Sequence, residues 1–200
     1  MSKIGTVIGM EIGAPESHKA AAPPPSKVRV ALVTASDSRT PATNEGGRLL
    51  RRLVEEAGFT VVDEVLLVED PPTLRGRVAS LARPEIADAV LVTGGTGIAP
   101  RDRTPEAIDP LYERRLPGFG ELFRMLSFQE IGPAAMLSRA EAGVVGGVLV
   151  FLLPGSPAAI ELAVRKLIAP ELGHLVGQLR RSAQPSVEPN LQGGVRADER

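Results

Sequence analysis

The chain of 200 residues contains no cysteine, no tryptophan and only two histidines, His18 and His174. The lack of cysteine excludes disulfides, thiolate catalysis and cysteine-ligated zinc or iron–sulfur centres. The histidines lie far apart, in a Pro/Ala-rich leader and near the end of the chain, so we expect no histidine metal site or catalytic triad. The groups left for chemistry are carboxylates, hydroxyls, arginines and backbone amides, a set that suits phosphate.

No charge of either sign dominates, because 23 Lys and Arg face 24 Asp and Glu and the net charge is −1. The chain therefore lacks the excess of basic residues that binds nucleic acids and anionic membranes. No apolar run is long enough for a transmembrane helix, and the apolar stretch at residues 4–10 is too short and glycine-rich for a signal peptide. We expect a cytoplasmic protein that binds neither nucleic acid nor membrane.

Composition divides the chain into three parts. Residues 1–26 are rich in proline and alanine and predict a flexible leader, whereas residues 180–200 are polar and predict a disordered tail. The remaining residues, 27–179, have the length of one ordinary domain. The sequence therefore predicts a single folded unit between two appendages.

Apolar runs rich in β-branched residues alternate with segments of helical periodicity, which predicts an α/β fold with a mostly parallel sheet and helices on both faces. The Gly146-Gly147 pair between two apolar runs is a hairpin signal and predicts one antiparallel strand. The predicted strands are Val28–Thr34, Thr60–Val68, Ala89–Thr93 and Leu149–Leu153. The predicted helices are Asn44–Gly58, Pro71–Ala82, one beginning at Pro105, Ala158–Leu167 and Pro170–Leu179.

The most informative segment follows the strand Ala89–Thr93. It is a glycine-rich turn of Gly94, Gly95, Thr96 and Gly97. Glycines accept positive φ and leave backbone N–H groups bare, so this turn predicts an anion site at the carboxyl end of a strand. A helix is expected just beyond, with Thr104 as its N-cap and Pro105 in the first helical position.

Asp102 adds a carboxylate beside this anion site. An acid next to a phosphate is repulsive unless a cation lies between them, so the pair predicts a magnesium-bound nucleotide or phosphoester. The alternative interpretation is a tight turn in which Asp102 or Thr104 merely caps the helix.

Two further loops follow predicted strands in the same manner. Because the carboxyl ends of parallel strands share one edge of the sheet, we expect these loops to converge with the glycine turn on one crevice. Their candidate binding residues are Ser36 and Asp37 after the first strand, and Pro154, Gly155 and Ser156 after the last.

Residues 118–129 carry Phe119, Leu122, Phe123 and Leu126 at the helical spacing i, i+3, i+4, i+7, and Phe128 lies in the same run. Such an apolar stripe predicts a helix that packs on the core. A contact between subunits is the second interpretation, and a cofactor pocket is the third.

These segments resemble the MoaB/Mog family, the molybdopterin-binding proteins of molybdenum cofactor biosynthesis. The resemblance spans about residues 28–178, and the run from Phe119 to Phe128 is most similar to the MoaB branch. The matching segments are Thr93–Gly97, Arg101–Asp102, Thr104–Glu106, Gly118–Glu121, Phe123–Phe128, Ser138–Ala140 and Leu153–Ser156.

The resemblance implies a three-layer α/β/α fold, a trimer or hexamer, and a site for molybdopterin and Mg-ATP. In better-understood members the pterin's terminal phosphate attacks the α-phosphate of ATP, and molybdate is inserted later. Asp102 would be catalytic and hold Mg²⁺, while the glycine turn would stabilise the developing charge. Thr104, Ser138 and Arg139 join the candidate binding residues, and other proteins of the pathway become candidate partners.

The chain departs from the family pattern at the start of the first helix. Active members carry Asp-x-Ser-Gly there, whereas this chain has Asn44-Glu45-Gly46-Gly47. Asn44, the second candidate catalytic residue, brings no charge to offset Mg²⁺. Three hypotheses follow: a molybdopterin adenylyltransferase, a carrier that binds molybdopterin without turnover, or a diverged nucleotide-binding domain.

Overall fold

The computed structural model describes residues 22–182. Residues 1–21 of the predicted leader and 183–200 of the predicted tail lie outside the described residues. The end of the predicted leader contributes a short 3-10 helix, Pro25–Lys27, whose Ser26 carbonyl accepts a hydrogen bond of 3.1 Å from the Thr60 hydroxyl. The last helix continues to Ser182, beyond the residue 179 expected as the end of the domain.

Six strands and six α-helices follow one another along the described part of the chain. The strands are β1 (Arg29–Ala35), β2 (Thr60–Leu67), β3 (Ala89–Thr93), β4 (Arg114–Arg115), β5 (Glu141–Val145) and β6 (Val148–Leu153). The α-helices are α1 (Glu45–Glu56), α2 (Pro71–Leu81), α3 (Thr104–Ile108), α4 (Pro117–Ile131), α5 (Pro157–Ala163) and α6 (Ala169–Ser182). Short 3-10 helices span Asp109–Leu111 and Gly132–Leu137, and one π turn spans Val164–Ile168.

The strands form one sheet in the order β2-β1-β3-β6-β5-β4. β1, β2, β3 and β6 are parallel, and β5 runs against them because the Gly146-Gly147 turn makes a hairpin of β5 and β6. β4 pairs antiparallel with β5. The predicted mostly parallel sheet with one reversed strand is therefore confirmed.

The strand order reverses beside β1, since the chain leaves β1 for β2 on one side and returns to β3 on the other. In an open α/β sheet this reversal opens a crevice at the carboxyl ends of the two central strands, because the loops after them diverge. The sheet topology alone therefore places a site beside the loops after β1 and β3.

Helices cover both faces of the sheet and give the three layers that the resemblance implied. On one face, Leu32 of β1 packs in a core with Leu50 of α1 and Ile160 of α5. On the other face, Val33 of β1 packs with Leu74 of α2. Consecutive residues of β1 face opposite cores because side chains alternate along a strand.

Two local predictions were wrong. Thr104 is the first residue of α3 rather than its N-cap, and its hydroxyl is buried instead of capping the helix. Arg103 takes the N-cap position and makes no side-chain capping hydrogen bond within residues 22–182. The two helices predicted after β6 form one continuous run, Pro157–Ser182. A π turn before Pro170 widens the helix, which relieves the clash expected between the proline ring and the carbonyl four residues earlier.

Within residues 22–182, every helix is too short or too polar to cross a lipid bilayer.

Candidate functional site

A cavity of about 530 Å³ lies at the carboxyl ends of β1, β3 and β6. The three predicted loops all border it, and α1 and α4 complete its walls. Its predicted lining residues are Ser36, Asn44, Gly94, Gly95, Thr96, Gly97, Asp102, Ser138, Pro154, Gly155 and Ser156. The convergence of the three loops on one crevice is therefore confirmed.

The glycine turn can be built only from residues without a side chain at two positions. Gly94 and Gly95 have φ of 106° and 62°. A Cβ on Gly94 would lie 2.1 Å from the carbonyl oxygen of Ala35, and one on Gly95 would lie 2.4 Å from the hydroxyl of Thr104. Both backbone conformation and space exclude larger residues here.

The backbone N–H groups of this turn differ in whether they have a hydrogen-bond acceptor. The Gly94 N–H donates to the carbonyl of Leu153 at 3.0 Å and so ties the turn to β6. The N–H groups of Gly95, Thr96 and Gly97 donate to no protein acceptor among residues 22–182. Thr96 is buried. Unpaired amides at the wall of a crevice form a nest that can bind an anion.

The loop after β6 packs directly on the nest. The Thr93 hydroxyl donates to the Pro154 carbonyl at 3.0 Å. A Cβ on Gly155 would lie 3.5 Å from the Cα of Gly94. The Ser156 hydroxyl accepts from the Ala159 N–H at 3.3 Å as the N-cap of α5.

Asn44 is the N-cap of α1 and is only 8% exposed. Its side-chain oxygen accepts from the Gly47 N–H at 3.0 Å, and its amide nitrogen donates to the Thr34 hydroxyl at 3.2 Å. Gly46 also lines the cavity. A Cβ at Gly46 would meet the Ile160 side chain at 3.3 Å, so a serine there requires a small movement of Ile160.

Three carboxylates lie beside the nest. Asp102 accepts from the Ala99 N–H at 2.9 Å, and Asp37 accepts from the Glu69 N–H at 3.0 Å. Arg101 forms an ion pair of 2.5 Å with Asp37. Burial, together with the charges of Asp37 and Asp102, raises the pKa of Glu69 above its ordinary value, despite the opposing effect of Arg101.

Sequence reasoning missed Glu69, which lines the cavity together with Asp102. Glu69 follows β2 as Asp37 follows β1, but this position alone does not show which side chain reaches the cavity, since Asp37 does not line it. No group of three or more His, Asp or Glu side chains within residues 22–182 is arranged to hold a metal by itself. A metal here would need ligands from the bound molecule as well.

Three predicted binding residues do not line the cavity: Asp37, Thr104 and Arg139. The side chain of Asp37 is held by Arg101 and the Glu69 amide. The Thr104 hydroxyl is fully buried against Gly95 and has no hydrogen-bond partner among residues 22–182. Ser138 does border the cavity, whereas the neighbouring Arg139 contacts the glycine loop.

Side chains of helix α4 contribute to the core, to the wall of the cavity and to the exposed surface. Phe123 is buried in the core and also borders the cavity with Ser127. Ile131 at the end of α4 and Leu137 of the following turn add apolar lining to the cavity. Both are also among the exposed large hydrophobic residues of this segment, which are Leu122, Met125, Phe128, Ile131, Met136 and Leu137.

The chain is similar to proteins of one biosynthetic pathway. A sequence model of a family described as "Probable molybdopterin binding domain" matches residues 31–174. Molybdenum cofactor biosynthesis protein B of Bacillus subtilis (strain 168) is 47% identical over 167 residues, which are 83% of this chain and 97% of the relative.

Solved structures have the same fold. A crystal structure of a molybdenum cofactor biosynthesis protein B has a TM-score of 0.76 and 46% identity, covering 80% of this chain and 99% of that chain. The tungsten cofactor synthesizing protein MoaB from Pyrococcus furiosus has a TM-score of 0.70 and 32% identity, covering 78% of this chain and 99% of that chain.

Proposed function

The chain belongs to the family of molybdopterin-binding domains, among the MoaB and Mog proteins of molybdenum cofactor biosynthesis, and we propose that it binds molybdopterin and Mg-ATP in the cavity. In the proposed reaction, an oxygen of the pterin's terminal phosphate attacks the α-phosphorus of ATP. The bond from this phosphorus to the bridging oxygen breaks, and pyrophosphate leaves. The product is adenylylated molybdopterin.

The nest is the observation that carries this proposal. The N–H groups of Gly95, Thr96 and Gly97 have no other acceptor among the described residues. They are held before any ligand arrives, because Gly94 is tied to β6 and the Gly95 carbonyl accepts from the Thr104 N–H at 3.0 Å. Preorganised donors stabilise charge that develops on transferring phosphates without first reorganising.

The carboxylates beside the nest fit a magnesium ion brought by ATP. Mg²⁺ is commonly held by one or two carboxylates plus substrate phosphates rather than by a cage of protein ligands. Asp102 and Glu69 both line the cavity, and their mutual repulsion contributes to the raised pKa of Glu69. These two residues would hold the cation, which would neutralise charge on the phosphates.

The remaining cavity wall suits the organic parts of the ligands. Phe123, Ile131 and Leu137 give apolar lining to the same cavity that the nest borders. A flat heterocycle buries apolar area against such a wall while its phosphate reaches the amides. We assign the apolar wall to ring binding and the nest to phosphate binding.

We also propose that the chain self-associates, as a trimer or a hexamer. Six of the ten large hydrophobic residues that are exposed within residues 22–182 lie in one segment, α4 and the turn after it. Exposed apolar residues that cluster in this way often mark interfaces in proteins. We place the assembly in the cytoplasm, where other proteins of the pathway are candidate partners.

A carrier without turnover is the second candidate function. Asn44 borders the cavity as a neutral amide, and both ends of that amide are engaged by Gly47 and Thr34. A site without a carboxylate at position 44 would bind Mg-ATP more weakly, while the nest and the apolar wall would still be present. The carrier hypothesis therefore predicts molybdopterin binding without adenylylation.

Anaerobic calorimetry with molybdopterin, followed by an assay for adenylylated molybdopterin and pyrophosphate with Mg-ATP, separates the hypotheses. Binding with product formation supports the transferase. Binding without product supports the carrier. No binding of molybdopterin, with Mg-ATP still bound, would contradict both and leave a diverged nucleotide-binding domain.

A further inference from the structure

Arg139 lies behind the nest rather than in the cavity. It precedes β5 and borders a second cavity of about 410 Å³ on the other side of residues 138–139, together with Glu141. Its side chain is about one third exposed and forms an ion pair with Glu106 of α3. The guanidinium of Arg139 therefore does not line the main cavity.

Residue 139 holds three carbonyl groups of the glycine loop and its continuation. Its backbone N–H donates to the Thr96 carbonyl at 3.0 Å. Its Nε donates to the Gly97 carbonyl at 2.8 Å, and a terminal guanidinium nitrogen donates to the Asp102 carbonyl at 2.5 Å. One residue thus connects the nest to the segment that carries the cavity's Asp102.

These contacts determine which way the amides of the loop point. The described peptide bonds are all trans, and in a planar trans peptide the C=O and N–H bonds point in opposite directions. Holding the carbonyls of Thr96 and Gly97 on the Arg139 side therefore directs the following N–H groups, of Gly97 and Ile98, to the opposite side. Neither N–H has a protein acceptor within residues 22–182.

We propose that Arg139 is a positioning residue, which orients the peptide groups of the nest for phosphate and fixes the backbone of Asp102. This inference rests on the proposed function, since it assigns the phosphates of that ligand to the nest. Arginine suits the role because its planar guanidinium presents several donors in fixed directions. A lysine carries the same charge but has no rigid fork to engage two carbonyls and Glu106 together.

The competing explanation is that Arg139 acts through charge alone. A cation near an anion site raises affinity at a distance without touching the ligand. Lysine at position 139 keeps that charge, so the two explanations give opposite results for Arg139→Lys. Glu106→Gln is the matched control, because it removes the ion pair and leaves the donors to Gly97 and Asp102 in place.

The experiment measures binding of inorganic pyrophosphate in the presence of Mg²⁺, by calorimetry, to the parent protein and both variants. We expect Arg139→Lys to bind at least tenfold more weakly and Glu106→Gln to bind within twofold of the parent. Amide NMR supplies a readout that stability alone would not move. Pyrophosphate should shift the N–H resonances of Gly97 and Ile98 in the parent and in Glu106→Gln. In Arg139→Lys the Ile98 shift should be much smaller, because the guanidinium no longer holds the Gly97 carbonyl, whereas the backbone N–H of residue 139 still holds the Thr96 carbonyl.

If Arg139→Lys does not fold, Arg139→Ala with added ethylguanidinium replaces it. Ethylguanidinium should restore pyrophosphate binding and ethylammonium should not. Parent-like affinity in Arg139→Lys, or equal restoration by both cations, would overturn the inference and leave the proposed function intact. Failure of the parent itself to bind pyrophosphate would instead remove the phosphate site of the proposed function, and this inference with it.

Discussion

The side-chain nitrogen of Asn44 donates to the hydroxyl of Thr34 at 3.2 Å, which connects the start of α1 to the end of β1 at the cavity wall. A hydroxyl can also donate, so Thr34 would form the same contact with a carboxylate by rotating its proton. The Gly47 N–H already points at the other side-chain atom. The site can therefore accept an aspartate without losing either hydrogen bond.

Asn44→Asp should raise the rate of Mg-ATP-dependent adenylylation about tenfold, equivalent to ~1.4 kcal/mol in the transition state. The added charge would help to hold the cation, and the positive end of the α1 dipole favours an acid there. Product formation is the measurement. The gain should vanish in the presence of Asp102→Asn, because groups that share a partner do not contribute independently. Background rates in parent and Asn44→Asp, with molybdopterin bound, would favour the carrier.

Asp102→Asn should reduce Mg-ATP-dependent activity by about 10²- to 10³-fold while shifting the melting temperature by only a few degrees. The amide oxygen can still accept from the Ala99 N–H, so only the charge is lost. Asp102→Ala is the control, because it also removes the hydrogen bond and should cost about 1 kcal/mol of stability. A large loss of stability with intact activity in Asp102→Asn would show that Asp102 merely stabilises the turn.

Gly95→Ala should abolish pyrophosphate binding and destabilise the fold by about 2 kcal/mol or more. The new Cβ would meet both a positive φ of 62° and the Thr104 hydroxyl at 2.4 Å. Gly58→Ala is the matched control, since Gly58 has φ of 84° but its nearest neighbour is 3.4 Å away. The control should lose about 1 kcal/mol and bind normally. Equal binding by both variants would exclude the nest as the phosphate site.

Phe128→Glu should weaken self-association about 100-fold or more, corresponding to ~2.7 kcal/mol. Phe128 is 58% exposed on α4. A second copy that packs against this residue would have to bury the charge of the new glutamate. Sedimentation velocity over a concentration series measures the change. Val62→Glu, on the edge strand β2, is an exposed control and should assemble normally. A monomeric parent would contradict the proposed assembly.

Asp88 should make the fold sensitive to acid. It bonds to Arg29 at the start of β1 and, at 2.9 Å, to Arg180 of α6. Burial alone would raise the pKa of Asp88, but the hydrogen bonds from both arginines outweigh it, and the pKa lies below its ordinary value. The carboxylate therefore stabilises the fold above pH ~4, and this contribution is lost as the pH falls through the lower folded pKa.

Asp88→Asn should lower the free energy of unfolding by about 2 kcal/mol at neutral pH, because the buried side chain loses its charge-assisted hydrogen bonds to half-buried Arg29 and exposed Arg180. Urea unfolding of the parent and the variant between pH 7 and pH 3 tests this. The difference between them should shrink below pH ~4. A difference that stays constant over this range would show that the charge of Asp88 contributes nothing.

The layer architecture and the position of the cavity could be predicted from local patterns. The run Ala89–Thr93 is a strand because its residues are apolar and mostly β-branched, and Gly94 and Gly95 adopt the positive φ that only glycine accepts readily. The Gly146-Gly147 turn produced the one reversed strand. These predictions depended only on residues close together in the sequence. The cap assigned to Thr104 was the wrong one among them.

Predictions about individual side chains were less reliable at places where two segments meet. Threonine is a residue type that often caps helices, but Gly95 packs against Thr104 and buries its hydroxyl beneath the nest. The stripe of α4 packs on the core through Phe119, Phe123 and Leu126, as expected, yet Leu122 at the same helical spacing is exposed. Helical spacing shows that residues share a face and does not show what covers that face.

The sequence by itself determined most of the elements and the glycine nest, because strand propensity and glycine conformation are local properties of the chain. The alternation of strands and helices also indicated the edge of the sheet where the site lies. Only the tertiary structure decided that Glu69 reaches the cavity and that Arg139 supports the nest from behind. Glu69 and Asp102 are brought together by the strand order, and Arg139 meets Gly97 across 42 positions of sequence. Such meetings depend on how distant segments pack, and no local pattern of residues encodes that packing.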